Sequence, residues 1–128
     1  MSKREKAALV LERKIYQAIE RGEFTPDYGY LSEIAYPRHD LAYPVLIGPC
    51  GCALAAAASV SGIGSTSHAS RYELISFLNR KIELSPDDAN ALEWGYEKPQ
   101  VEGPDLTNPY FKLGQRLRRF HPDNASAE

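Results

Sequence analysis

Leu41-Ala-Tyr-Pro-Val-Leu-Ile-Gly-Pro-Cys50-Gly-Cys52-Ala-Leu-Ala-Ala-Ala-Ala-Ser-Val-Ser-Gly-Ile-Gly64 carries no charged side chain, and no other stretch of the chain stays uncharged for as long. Its reading decides the fold. The stretch is long enough to span a bilayer as a helix. Pro44, Gly48, Pro49 and Gly51 would break such a helix, however, and Ser59 and Ser61 add polar groups that lipid cannot satisfy. What remains helical is Cys52–Val60, ended by Gly62 and Gly64. Alanine on every side of that segment lets neighbouring helices approach closely, so it is expected to be a central buried helix and not a membrane span.

Upstream, Ser2 and Glu5 have the spacing of a capping box, in which each side chain satisfies a backbone donor left over at a helix start. A helix over about residues 3–21 follows, with Ala8, Leu11, Ile15, Ala18 and Ile19 on one stripe. Residues 23–49 contain Pro26, Pro37, Pro44 and Pro49 together with Tyr28, Tyr30, Tyr36 and Tyr43. Proline fixes its own φ and disfavours helix in the residue before it, which predicts an irregular segment. Leu31–Ala35 has room for one helical turn, and strand character is confined to short pieces such as Tyr43–Ile47.

Downstream of the uncharged stretch, residues 64–69 read as a polar connector. Ser70 and Glu73 open a third helix with Leu74, Ile75, Phe77, Leu78 and Ile82. Ser85-Pro-Asp-Asp88 is the strongest helix start in the chain: a capping serine, proline at the first helical position and acids facing the positive end of the dipole. Ala89, Leu92 and Tyr96 form its inner stripe, and Pro99 stops it. Thr107-Asn-Pro109 starts a last helix, with Tyr110, Leu113, Leu117 and Phe120 on one face. The expectation is a mainly α fold: a compact bundle of about five helices in one domain (1–122), an irregular Pro/Tyr-rich segment (23–49), at most short strands, and a flexible tail (123–128).

Composition narrows the function classes. The chain has 128 residues, 43% hydrophobic and 25% charged, with a formal net charge of −2. That balance is ordinary for a globular protein and unlike a nucleic-acid binder. The charges are nevertheless segregated. Residues 85–105 hold six acids (Asp87, Asp88, Glu93, Glu97, Glu102, Asp105) against Lys98 alone. Residues 112–119 hold Lys112, Arg116, Arg118 and Arg119 and no acid. Near a helix end such bases meet the negative pole of the dipole at about 0.3–1 kcal/mol each; the alternative is contact with an anion or nucleic acid. The N-terminus opens an amphipathic helix and no secretory pattern, so the expected location is cytoplasmic.

Two cysteines make no disulfide framework, and Cys-x-Cys with His39, His68 and His121 scattered elsewhere lacks the spacing of a metal site. No metal and no cofactor is expected. The one enzymatic alternative is a cysteine hydrolase. Cys52 stands at a helix N-terminus, where backbone amides lower a thiol pKa, as the nucleophile does in papain-like hydrolases. His68 or His121, which read as exposed connector and tail residues, would then have to serve as base. Packing as a small hydrophobe is the simpler role for the thiol.

Two resemblances bear on function. Residues 78–99 resemble the second half of the helix-turn-helix of phage-repressor-like proteins, through Leu78, Ile82, Ser85, Ala89, Leu92, Glu93, Gly95 and Pro99. That resemblance implies a DNA-reading helix, but Pro86, Asp87 and Asp88 stand at its start, where phosphate would repel the carboxylates. Gly51–Glu97, with its Gly-Cys-Ala-Leu-Ala-Ala run followed by Leu-Ser-Pro-Asp-Asp-Ala-Asn-Ala-Leu, is similar to small uncharacterised helical proteins of bacteria and phages. It implies a helical domain and no known activity. The reading is a small, non-enzymatic accessory factor of bacterial or phage origin that binds another protein, with no membrane contact and its oligomeric state left open. Tyr28, Tyr30, Tyr36, Tyr43, Trp94 and Tyr96 are the expected contact residues, since tyrosine and tryptophan give large contact area at low entropy cost. A helix-turn-helix DNA-binding regulator using Lys112, Arg116, Arg118 and Arg119 is the first rival.

Overall fold

The computed structural model describes residues 2–27, 29–35, 45–64, 68–98 and 107–121. Along them the chain forms α1 (Lys3–Glu20), β1 (Thr25–Pro26), β2 (Leu31–Ala35), β3 (Val45–Gly51), α2 (Ala53–Val60), β4 (His68–Ala69), α3 (Arg71–Ile82), α4 (Pro86–Glu97) and α5 (Pro109–Arg118). The fold is mainly α, with five helices among the described residues and a small mixed sheet of order β1-β3-β2-β4.

The helices begin where side chains can cap them. Ser2, Ser70 and Ser85 accept from the amides of Glu5, Glu73 and Asp88, at 3.1, 3.3 and 3.1 Å. Asn108 Oδ1 accepts from the amides of Tyr110 and Phe111 at 2.8 and 3.3 Å, with Pro109 following it. Each cap satisfies donors that the first helical turn leaves without a partner.

The alanine-rich segment sits at the centre. Ala53–Ala58 are all buried, and α2 touches α1, α3, α4 and the first three strands. Ile15 of α1, Leu74 and Leu78 of α3, Leu92 of α4, and Leu113 and Leu117 of α5 belong to the same core. Truncating any of these leucines to alanine removes transfer energy and leaves a cavity, at about 2–5 kcal/mol. Gly51 makes the turn into α2 possible: its φ is +148°, and a Cβ there would run into the Tyr30 carbonyl and Ala55.

Three sequence expectations need correction. Leu31–Ala35 is strand β2, not a helical turn. It pairs antiparallel with β3 and with β4, partners too distant in sequence for local propensity to register. The 23–49 segment is therefore sheet-forming over much of its described length. Gly48 and Pro49 have a place in that sheet: the register shifts between Ser32↔Cys50 and Ile34↔Leu46, and they fall in that irregularity, where sheets tolerate glycine and proline; Pro37 and Pro44 lie outside the described residues. The 64–69 connector likewise ends in β4. Residues 123–128 lie outside the described residues.

Candidate functional site

Helix α4 has two unlike sides. The 3.6-residue period turns Asp88, Ala89, Leu92, Gly95 and Tyr96 inward, all buried. It turns Asp87, Asn90, Trp94, Glu97 and Lys98 outward. Trp94, the only tryptophan of the chain, is 40% exposed. It stands between two clefts and lines both. One, of about 420 Å³, is walled by Arg4, Ala91, Asn108 and Phe111 as well. The other, of about 510 Å³, is walled by Tyr30, Arg71, Glu93, Glu97 and Lys98.

The second cleft holds a hydrogen-bonded network. Arg71 Nε donates to Glu93 Oε1 at 2.7 Å, and Tyr30 Oη donates to Glu93 Oε2 at 3.0 Å. Arg71 also donates to Asn90 Oδ1. Burial, then the Glu93 carboxylate it serves, pushes the Tyr30 hydroxyl up to about 12. Tyr30 therefore stays a donor at any physiological pH. Glu97 lies one turn from Glu93, and its carboxylate has no hydrogen bond or ion pair within 4 Å among the described residues. Burial and the neighbouring Glu93 charge raise its carboxyl above the ordinary range. Lys98 Nζ lies 5.3 Å from the centre of the Trp94 ring, a cation–π distance.

The helix that presents this face is anchored at its start and along its inner seam. Arg4 Nη2 donates to Asp88 Oδ1 at 2.6 Å and Arg4 Nε to Oδ2 at 3.0 Å, while Asn108 Nδ2 donates to Oδ1 at 3.1 Å. Burial alone would raise the Asp88 carboxyl; these donors and the guanidinium charge outweigh it and hold it below its usual value. Along the seam, a Cβ on Gly95 would strike the Phe111 carbonyl oxygen, and a Cβ on Gly114 would strike the Leu92 carbonyl oxygen and the Tyr96 nitrogen. The α4 and α5 backbones touch there, and the two form the most extensive helix pair of the fold.

Of the expected contact residues, Tyr30 and Trp94 meet at the second cleft. Tyr96 does not belong to the surface. It is 2% exposed on the inner stripe, its hydroxyl donates to the Asp27 carbonyl at 3.0 Å, and its ring packs near His121. Tyr28, Tyr36 and Tyr43 lie outside the described residues. Arg71 and Glu97 join the site without being among the residues expected there. The Glu93/Glu97 spacing is a signal that marks the acidic face, but nothing local links Arg71 to it.

The basic α5 faces inward more than expected. Arg116 donates through Nε and Nη2 to the buried Glu12 at 2.5 and 3.0 Å, and Arg119 donates to the Tyr16 hydroxyl at 3.2 Å. Arg118 donates to the Tyr96 carbonyl at 2.9 Å. Lys112 and Arg119 are the exposed members of the group. The arginines of α5 thus join it to α1 and α4.

Cys52 stands at the N-cap position of α2 without a side-chain capping bond and is 1% exposed; burial outweighs the Ala55 and Leu54 amides and pushes its thiol up to about 11. His121 is not an exposed tail residue: it is fully buried beside Tyr96, because the turn after α5 folds back on the core. His68 lies in β4. Among the described residues no three His, Cys, Asp or Glu gather as a metal cluster, and no helix is long and apolar enough to cross a membrane. The chain matches no protein-family model, no curated protein and no solved structure.

Proposed function

We propose that this chain is a small, non-enzymatic accessory factor that docks on another protein through the outer face of α4, with Trp94 at the centre. The observation that carries the reading is the exposure of the single tryptophan on a ridge between two clefts. Large aromatic side chains dominate the energy of protein interfaces when they enter a pocket or clamp a partner between them. Two-fifths of this large apolar residue is left in water, area that a partner could cover. The anchoring of α4 by Asp88 and Gly95 supports the same reading, because a rigid platform loses little entropy on binding.

The rivals draw less support. A recognition helix with Asp87 and Glu97 outward would face phosphate with carboxylates, and Arg116, Arg118 and Arg119 are engaged in hydrogen bonds within the chain, although they remain partly or fully exposed. A thiol raised to about 11 is ionised in roughly one molecule in ten thousand at pH 7. On this reading Cys52 is alkylated by iodoacetamide far more slowly in the native chain than in the unfolded one. Equal rates in both states would revive the hydrolase.

The deciding experiment is a tagged pull-down from bacterial lysate with the wild-type chain and Trp94→Ala side by side, after nuclease treatment. A stoichiometric protein retained by wild type and lost with Trp94→Ala is the expected result. Retention of the same protein by both chains, or of material that nuclease removes, would overturn the proposal.

A further inference from the structure

The two clefts beside Trp94 differ in chemistry, and the difference names the partner's contribution. Resting on the docking surface proposed above, we propose that the partner inserts an arginine or lysine side chain into the cleft formed by Tyr30, Glu93, Trp94 and Glu97, stacking on the indole and pairing with Glu97.

Three observations converge on a cation. The Trp94 ring already has Lys98 Nζ at 5.3 Å, so its outer side accepts a positive charge in this setting. The Lys98 side chain is exposed and its ammonium makes no hydrogen bond among the described residues, while its backbone amide donates to the Trp94 carbonyl, so a second cation can displace the ammonium at small cost. Glu93 is fully engaged by Arg71 and Tyr30, whereas Glu97, one turn away on the same wall, has no such partner among the described residues. An incoming guanidinium or ammonium gives Glu97 the charge-assisted hydrogen bond it lacks.

The raised carboxyl of Glu97 points the same way: burial and the Glu93 charge outweigh the attraction of Lys98, Arg118 and Arg71. The cleft, at about 510 Å³, has space for an extended basic side chain. An anionic partner would meet Glu93, Glu97 and the donor-poor indole face, with Arg71 already committed to Glu93. A purely apolar side chain fits the other cleft better, where Ala91 and Phe111 form the wall.

The test is selection from a random heptapeptide library displayed on phage, against the wild-type chain, Trp94→Ala, Glu97→Gln and Glu97→Lys, each first checked for native helicity by circular dichroism. The proposal expects the wild-type pool to be enriched in arginine and lysine. Synthetic peptides from that pool should bind Glu97→Gln about tenfold more weakly, and show no binding to Glu97→Lys. Their citrulline or norleucine versions, which keep shape and remove the charge, should lose affinity to the same degree. Peptides that require Trp94 but carry no basic residue and ignore Glu97→Gln would overturn this inference and leave the docking surface intact. A pool whose binding is indifferent to Trp94→Ala would overturn both.

Discussion

The two sides of α4 obey opposite rules. On the inner side, at Gly95 and Gly114, backbone lies against backbone and a single methyl group has nowhere to go. On the outer side, one residue earlier in the chain, Trp94 stands exposed between clefts of about 420 and 510 Å³. The contrast teaches how one helix can be locked on one side by backbone contact and still hold a partly exposed indole on the other. Close packing on the hidden side fixes the position and rotation of the helix, and the shown side can then keep a large apolar group in water. Close packing and exposure are thus divided between adjacent residues of one helix, Gly95 and Trp94.

The comparison breaks or holds most visibly at the seam. Gly95→Ala and Gly114→Ala each force the α4 and α5 backbones apart and should lower the unfolding free energy by about 3 kcal/mol, read from urea denaturation. Losses under about 0.5 kcal/mol would mean the helices are not seated as described.

Asp88→Asn, at the anchored start of the same helix, should cost about 1.5 kcal/mol at pH 7 by weakening the bonds from Arg4 and Asn108. Its pH dependence sharpens the comparison. A carboxyl held below its unfolded value, about 4, contributes stability above that pH and loses it as pH falls through the lower folded value. The wild-type denaturation midpoint should therefore drop more steeply between about pH 5 and pH 3 than that of Asp88→Asn. Parallel curves would remove Asp88 as an anchor.

On the outer side the same measurements should move less. Trp94→Ala is expected to cost about 1–2 kcal/mol, since 40% of the residue is already in water and the rest is covered. Glu97→Gln should be smaller still and opposite in sign. A carboxyl raised on folding is destabilising once ionised, so removing its charge should stabilise the chain slightly at pH 7, within about 0.5 kcal/mol. A loss as large as that of the seam variants in Trp94→Ala, or any clear loss in Glu97→Gln, would show that the outer face is part of the fold's support.

Much of this division is legible in the amino-acid sequence. The serines and asparagine that start the helices act locally, through side-chain oxygens reaching amides a few residues on, so spacing alone places Ser2, Ser70, Ser85 and Asn108. The central burial of Ala53–Ala58 follows from alanine on all sides. What escapes a local reading depends on distant partners. β2 exists because β3 and β4 flank it, and His121 is buried because the end of α5 turns back beside Tyr96. Arg116 has the pattern of a basic surface, yet its partner, Glu12, stands on α1 more than a hundred residues away. The sequence pattern of Tyr96 fits both the inner stripe and a contact surface. Burial separates it from Trp94, two residues away.

The most direct measurement is the fluorescence of Trp94, whose indole is the only one in the chain. The retained protein partner, or a selected peptide free of tryptophan, would be added to the native chain and the emission maximum followed. A blue shift and a change in intensity that saturate with binding, as the indole leaves water, are what this account predicts. Binding established by an independent method with no change in Trp94 emission would contradict it.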